Sequence, residues 1–345
     1  MTSHPRRRTT DIAPIPFPVL IADIGGTNVR FAVLEDAHSA LREFPTVHTA
    51  QFPDFATAAS TAVLDTTAIM PRSLLIAVAG PVGEGLTKMT NADWVIDANQ
   101  LIGALNLETL VIFNDFEALS LSLPALREDQ VMKIGGGEPI SRQPRIVLGP
   151  GTGLGVASLI YGDRSYTPLA GEGGHMDVGP ITAREFEMWP HVEHLHGRVT
   201  GEALLSGNGL TRLYRAVAAL EQADGSVCKV GADVTRRAGE GDPCAIEAID
   251  HFLTFLGRYA GDLALVFLAK GGVYVAGGIV PRLVERVSRS PFRTAFEDKE
   301  PHAHLMRQMP TFLITEPRPA IAGLAAFATM PERFSIDLDG RRFGA

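Results

Sequence analysis

The first third of the chain alternates between two hydrophobic periods. Short apolar runs begin near Val19, Val29, Leu74 and Leu110 and end in glycine, charge or polar residues, which is typical of strands. The run from Val19 meets glycines and resumes at Val29, which predicts a strand, a tight turn and an antiparallel strand. Between and after these runs, apolar residues recur at helical spacing. Strands that alternate with helices indicate a layered α/β lobe.

The hydrophobic periodicity is lost over residues 127–144, where charged residues, adjacent glycines and prolines take its place. A second strand–turn–strand pattern follows at 145–162, and a largely helical stretch covers 182–270. Residues 271–279 predict a buried strand that runs into a Gly-Gly turn. A late strand and a helix close the pattern, so the second part of the chain also mixes strands with helices.

These patterns predict an α/β protein of two lobes, with a disordered leader before them and a loose tail after them. A chain of 345 residues is long enough to bury the cores of two lobes. The predicted leader, small lobe, large lobe and tail are residues 1–16, 17–126 plus 317–334, 127–316 and 335–345.

Composition and charge narrow the classes of function. Hydrophobic residues at 46% and charged residues at 20% suit an ordinary globular enzyme. A net charge of -8 should repel polyanions, so we expect no nucleic-acid partner. Two cysteines are too few for a disulfide framework and suit a reducing cytosol. No apolar run approaches the ~18–20 residues of a membrane span, and no apolar signal segment follows the basic start. We therefore predict a cytoplasmic protein with no membrane partner.

The first turn, in the segment "ADIGGTN", is a candidate phosphate site. Gly25 and Gly26 permit positive φ and leave backbone N–H groups unobstructed, as a phosphate cradle requires. Thr27 adds a side-chain donor, and Asp23 could hold Mg²⁺ directly or through water. An ordinary hairpin turn with a capping Asp23 explains the same residues.

Two later glycine turns could also serve a nucleotide. Gly151, Thr152 and Gly153 lie in "GPGTGLG", which lacks the Lys of a Walker loop and precedes a strand rather than a helix. Gly277 and Gly278 lie between an apolar strand and a helix, where a flat base could rest. A structural hairpin and close strand–helix packing are the respective alternatives. The two strand–turn–strand patterns form a weak repeat, whose turns could grip one polyphosphate from both sides.

A polar pair follows the strand that ends in "FND". Ligand sites in α/β lobes favour the carboxyl ends of strands, where Asn114 and Asp115 lie. Asp115 could accept a proton from a substrate hydroxyl while Asn114 binds a neighbouring hydroxyl. The alternative is that Asp115 only caps the following helix.

A glycine-rich segment, "LAGEGGHMD", carries the candidate sugar ligands. Glu172 and His175 could bind vicinal hydroxyls, since hydrogen bonds to a charged group contribute about 1.5–3 kcal/mol each. Glu202 is a third candidate, although a helical Glu is usually solvated. Metal binding by Glu172, His175 and Asp177 is discounted because no further ligand is evident.

Together and in this order, the motifs resemble those of the bacterial glucokinase family over residues 19–330. The motifs are "ADIGGTN", "GPV", "NADW", "FNDFEALS", "GTGLG", "GEGGHMD", "LLSGNGL", "VYVAGGIVPR" and "FRTAFEDK". The resemblance implies a two-lobed actin-like ATPase fold, which is ribonuclease H-like, and a homodimer. The zinc-containing repressor/open-reading-frame/kinase group carries a Cys-rich loop that this sequence lacks.

The resemblance also implies a role for each matched residue. Asp115 corresponds to the catalytic aspartate, and four residues correspond to the sugar ligands: Asn114, Glu172, His175 and Glu202. The residues implied to hold ATP are Ala22, Asp23, Ile24, Gly25, Gly26, Thr27, Gly151, Thr152, Gly153, Gly277 and Gly278. Mg²⁺ is expected as cofactor, held through water by Asp23.

The sequence thus predicts a glucokinase that transfers the γ-phosphate of MgATP to the 6-hydroxyl of glucose. Two alternatives belong to other classes of protein. A sugar-responsive repressor would need a helix-turn-helix, and about 16 residues before the first strand are too few for one. An actin- or chaperone-like ATPase would keep the phosphate turns without needing Glu172 and His175.

Overall fold

The computed structural model describes residues 12–80, 82, 86–88 and 94–344. Most of the predicted leader and parts of the motifs "GPV" and "NADW" lie outside the described residues. The chain divides into two compact units. Unit 1 lies within Met1–Leu126, Leu159–Ala170 and Glu316–Ala345, and unit 2 comprises Arg127–Ser158 and Gly171–Thr315. The division differs from the predicted lobes in assigning 159–170 and the described parts of the leader and tail to unit 1.

Strands and helices are mixed along the chain, as the hydrophobic pattern predicts. Those before residue 127 are β1 (Val19–Ile24), β2 (Asn28–Leu34), β3 (Arg42–Glu43), β4 (Val47–His48), α1 (Phe55–Ala62), β5 (Ser73–Val78), β6 (Leu86–Lys88), β7 (Val95–Asp97), α2 (Ala98–Leu105), β8 (Thr109–Asn114) and α3 (Asp115–Ser122). Those up to residue 267 are β9 (Val131–Gly135), β10 (Arg145–Pro150), β11 (Leu154–Gly162), β12 (Ser165–Gly171), α4 (Ala183–Met188), α5 (Gly201–Leu204), α6 (Gly207–Leu220), α7 (Gly231–Gly239) and α8 (Pro243–Phe267). The remaining elements are β13 (Gly272–Val275), α9 (Val284–Val287), α10 (Phe292–Glu297), α11 (Ala303–Gln308), β14 (Thr311–Ile314), α12 (Pro319–Thr329) and β15 (Arg342–Gly344).

The first sheet has the order β15-β8-β5-β1-β2-β3, with β4 also paired to β2, among the described residues. β1 and β2 are antiparallel, whereas β1, β5 and β8 run parallel. β5 is buried along its whole length, and β8 is buried up to its last residue. Parallel strands covered on both faces carry continuous apolar runs, which is why these strands were visible in the sequence.

The second sheet has the order β12-β11-β10-β13-β14-β9. β10, β13 and β14 run parallel, and β9 joins β14 in the antiparallel sense. Each sheet therefore contains a strand–turn–strand pattern followed by parallel strands, which accounts for the weak repeat in the sequence. The core of unit 2 lies between this sheet and its helices and includes the buried face of α8.

Helix α8 is the longest helix in the described part of the chain, with 25 residues. It begins after the cap Asp242, whose carboxylate accepts a hydrogen bond from the N–H of Ala245, and it ends at Leu268 in the left-handed region. Within the described residues, no helix combines the length and the apolar character needed to cross a membrane.

Helix α3 packs closely against α12 in unit 1. A Cβ at Gly323 of α12 would strike the carbonyl oxygen of Ala118, so only glycine permits this approach of the two backbones. The rings of Phe113 and Phe327 add an edge-to-face contact with centroids 5.0 Å apart. This packing fixes the helix that begins at Asp115.

The described parts of the terminal segments pack against unit 1. In the described part of the leader, Ile15 is buried, and the carbonyl oxygen of Pro16 accepts a hydrogen bond of 2.6 Å from the hydroxyl of Ser73. The prediction of a loose tail is wrong for Arg342–Gly344, because these residues form β15 and pair with β8. A three-residue strand has too little periodicity to be recognised in a sequence.

Candidate active site

The turn between β1 and β2 forms the first glycine site. The N–H of Gly25 donates to the carbonyl oxygen of Asn28 at 2.9 Å, so this N–H closes the turn. Thr49 holds the other side of the turn, since its hydroxyl donates to Gly26 at 3.1 Å and its N–H to Thr27 at 3.0 Å. Thr27 is exposed at the tip. The turn is thus a rigid hairpin whose tip faces solvent.

Asp23 lies beside this turn in an ion pair that the sequence analysis missed. Its Oδ2 is 2.9 Å from Nη1 of Arg30, the residue opposite it in the β1–β2 register. Burial raises the pKa of Asp23, and the charge and hydrogen bond of Arg30 oppose this shift. Mg²⁺ in nucleotide sites keeps several waters and takes few protein carboxylates. An Asp that already has a cation partner therefore fits a water-mediated contact better than direct ligation.

Asn114, not Asp115, is the N-cap residue of helix α3, although Oδ1 of Asp115 also accepts the N–H of Phe116 at 2.9 Å. The Oδ1 atom of Asn114 accepts hydrogen bonds from the N–H groups of Phe116 at 3.0 Å and Glu117 at 3.1 Å. Its Nδ2 atom donates to the carbonyl oxygen of Gly80 at 3.1 Å. Asp115 is the first residue of the helix and is partly exposed.

The carboxylate of Glu117 completes a capping box, because it accepts the N–H of Asn114 at 3.3 Å. The spacing Asn-x-x-Glu in the sequence is the signal for this capping box. Asp115 thus lies between two residues that cap each other, at the carboxyl end of a buried parallel strand.

In unit 2 the turn between β10 and β11 is built from backbone contacts. The N–H of Gly151 donates to Gly153 at 2.8 Å, and the carbonyl oxygen of Gly151 accepts the N–H of Gly207 at 2.9 Å. The Oε2 atom of Glu202 accepts the N–H of Leu154 at 3.0 Å. A Cβ at Gly153 would collide with the same carboxylate. The structure therefore brings Glu202 to the second glycine turn.

The third glycine turn lies directly beside the second. Gly277 has a φ of +86°, and a Cβ there would strike the carbonyl oxygen of Pro150. The N–H of Ala276 donates to Leu148 at 2.8 Å. Gly278 is exposed, with no atom within 4 Å of a Cβ built on it. Close packing explains Gly277, whereas Gly278 leaves an open surface.

Glu172 and His175 lie together on a short exposed turn. The Nε2 atom of His175 is 3.7 Å from Oε2 of Glu172, and their side chains are 55% and 74% exposed. The backbone beneath them is fixed, because Tyr259 donates its hydroxyl hydrogen to the carbonyl oxygen of Gly173. A Cβ at Gly174 would strike the carbonyl oxygen of Leu154. The backbone at Gly174 therefore packs directly against the 151–155 turn.

Asp177, the third group of the discounted metal set, pairs with Arg198 at 2.8 Å. Among the residues that the structure describes, no three His, Cys, Asp or Glu side chains are grouped to hold a metal ion.

The predicted site residues fall into two sets, one in each unit. Asp23, the first turn, Asn114 and Asp115 belong to unit 1, and Glu172, His175, Glu202 and the later turns belong to unit 2.

Comparison with known proteins identifies the family. The glucokinase family model matches residues 20–331. A glucokinase of Chelativorans sp. (strain BNC1) is 46% identical over 329 residues, which cover 95% of this chain and 96% of the relative. The crystal structure of a glucokinase from an Antarctic psychrotroph is 31% identical, covers 90% of this chain and 98% of its own, and superposes with a TM-score of 0.81.

A glucokinase of Streptomyces griseus from the repressor/open-reading-frame/kinase group, solved with glucose and AMPPNP, shares the fold at a TM-score of 0.60. It is 23% identical over 90% of this chain and 98% of its own. These likenesses confirm the predicted two-lobed actin-like ATPase fold. The chain belongs to the glucokinase family.

Proposed function

We propose that this protein transfers the γ-phosphate of MgATP to the 6-hydroxyl of glucose with Asp115 as general base, giving glucose 6-phosphate and ADP. The observation that carries the base assignment is the position of Asp115. It is the partly exposed first residue of α3, directly after β8, while the N-cap position itself is occupied by Asn114.

Proton transfer to Asp115 accompanies attack by the sugar oxygen. The hydroxyl proton moves to the carboxylate as the new O–P bond forms, and the bond from the γ-phosphorus to the bridging oxygen of ADP breaks. A positioned base of this kind contributes about 10²–10⁴-fold to the rate. Most of the remaining acceleration in phosphoryl transfer comes from positioning and charge stabilisation.

The proposed sugar ligands are Asn114, Glu172, His175 and Glu202. Asn114 holds its side chain in one orientation through three hydrogen bonds. Glu172 and His175 present exposed polar groups from a fixed backbone. Glu202 uses Oε2 to hold the 151–155 turn, which orients its carboxylate. Preorganised polar groups lose little entropy when a sugar binds.

The proposed nucleotide contacts are the three glycine turns, residues 22–27, 151–153 and 277–278. Mg²⁺ would neutralise phosphate charge, and Asp23 would contact it through water while Arg30 holds the carboxylate in place. The open surface at Gly278 would accept the adenosine. By its resemblance to the family, the protein is further proposed to be a cytoplasmic homodimer.

An ADP-release assay with a panel of sugars tests this function. Turnover should require a hexose, should be highest with glucose among glucose, mannose, fructose and glucosamine, and should require Mg²⁺. Sugar-independent ATP hydrolysis at a comparable rate would instead support the ATPase alternative. Inorganic polyphosphate and ADP, offered in place of ATP, test the identity of the phosphoryl donor.

A further inference from the structure

The C-terminal strand reaches the start of the helix that carries the proposed base. β15 pairs with β8, so that Arg342 lies opposite Val111. One step further, the N–H of Ile112 donates to the carbonyl oxygen of Arg341 at 3.0 Å. The backbone register therefore places Arg341 beside the last residues of β8, next to the β8–α3 junction.

The side chain of Arg341 forms a two-pronged ion pair with Glu117. Nη1 is 3.1 Å from Oε1 of the carboxylate, and Nη2 contacts Oε2. Nε donates to the carbonyl oxygen of Ile112 at 3.2 Å, and the guanidinium lies over the ring of Phe113, 5.3 Å from its centroid. A planar guanidinium matches a carboxylate in this geometry, which a lysine ammonium cannot reproduce.

Glu117 connects this ion pair to the helix cap. Its side chain is only 6% exposed, and a buried carboxylate without a cation is strongly unfavourable. Its Oε2 atom, which Arg341 contacts, also accepts the N–H of Asn114. In return, Oδ1 of Asn114 accepts the N–H of Glu117. Asp115 lies between these two residues in the chain, so its backbone is held from both sides.

We propose that Arg341 is a positioning residue for phosphoryl transfer: through Glu117 it holds the Asn114 cap and so fixes the carboxylate of Asp115. The inference rests on the proposed function, in which Asp115 is the base. Arg341 acts by keeping the first turn of α3 in one conformation, because a misplacement of about 1 Å at a reacting group can cost on the order of 100-fold in rate.

The test compares Arg341→Gln with Arg342→Gln, the next residue in the chain and the first residue of β15. Arg342 donates to the carbonyl oxygens of Ala13 and Pro14, at 2.7 and 3.2 Å, and so serves as the matched control. Arg341→Gln should lower kcat roughly 10–100-fold while KM for ATP stays within about twofold; KM for glucose should rise, because the same cap holds Asn114, a proposed sugar ligand. Arg342→Gln should leave kcat within about twofold.

Two further readouts separate positioning from general stability. Amide hydrogen exchange at Phe116 and Glu117 should accelerate in Arg341→Gln and not in Arg342→Gln. Arg341→Lys should restore part of kcat, because lysine keeps the positive charge but cannot form the two parallel hydrogen bonds of the guanidinium. If Arg341→Gln does not fold, the double variant Glu117→Gln, Arg341→Gln removes the buried charge together with its partner. That variant should fold and still show reduced kcat.

Wild-type kcat in a folded Arg341→Gln protein, or in the folded double variant, would overturn the proposal. An equal loss of kcat in Arg342→Gln would also overturn the proposal, since both changes would then act by loosening the C-terminal segment in general. Asp115→Asn is assayed in parallel. If that variant stays active, the proposed base is wrong, whereas an inactive Asp115→Asn beside a fully active Arg341→Gln refutes only the role of Arg341.

Discussion

The Oε2 atom of Glu202 accepts a hydrogen bond of 3.0 Å from the backbone N–H of Leu154. This contact joins a proposed sugar ligand to the turn proposed to hold phosphate. A Cβ at Gly153 would displace the same carboxylate from this position. One side chain thus connects the two proposed binding functions of unit 2, and its loss should affect both substrates.

Glu202→Ala should raise KM for ATP as well as for glucose, each by about tenfold, because a hydrogen bond to a charged group is lost on the turn. Glu202→Gln should raise KM for ATP less, since its amide oxygen can still accept the N–H of Leu154. Steady-state kinetics with each substrate varied in turn measures both effects. An unchanged KM for ATP in Glu202→Ala would contradict the link between the carboxylate and the turn.

Gly277→Ala should destabilise the protein by about 1–3 kcal/mol, because the residue has a positive φ and its new Cβ would meet the carbonyl oxygen of Pro150. Gly278→Ala is the matched control, since the space around it is open, and a cost below about 0.5 kcal/mol is expected. Urea unfolding of both variants provides the comparison. Equal stability of the two variants would show that the backbone relaxes at Gly277.

The ion pair of Glu185 with Arg258, at 2.8 Å, should make stability depend on pH. Burial raises the pKa of Glu185, but the hydrogen bonds from Arg258 and from the N–H of Ile181 outweigh it and hold the pKa below its ordinary value. The folded state therefore holds the proton less tightly than the unfolded chain does. The stabilisation is fully present above about pH 4.3 and is lost as the pH falls through the folded value.

Urea unfolding between about pH 6 and pH 3 measures this dependence. Glu185→Gln should flatten the acid side of the stability profile. The control is Glu187→Gln on the same helix, whose side chain is 60% exposed, and it should leave the slope nearly unchanged. Equal slopes in wild type and Glu185→Gln would rule out a contribution from this pair.

The sequence predicted the elements that local pattern determines. The β1–β2 and β10–β11 turns were found because apolar runs end in glycines on both sides of each turn. The β8–α3 junction was found because a continuous apolar strand meets polar residues and then a helical period. In these segments neighbouring residues determine the structure, so no distant contact is needed to recognise them.

Features that depend on distant residues were missed. β15 is too short to show a period, and it forms only because β8 offers an unpaired edge. The pairing of Arg341 with Glu117 spans 224 residues of sequence and leaves no local signal. By contrast, the cap Asn114 and its partner Glu117 are three residues apart, which is the local spacing of a capping box and can be recognised in the sequence.

The kcat of Asp115→Asn, measured beside its glucose dissociation constant, decides whether Asp115 is the general base. The substitution keeps the size of the side chain and removes the base. We predict a fall in kcat of about 10²–10⁴-fold, with a glucose dissociation constant within about threefold of wild type. A kcat close to that of the wild-type enzyme would contradict the assignment of Asp115 as the general base.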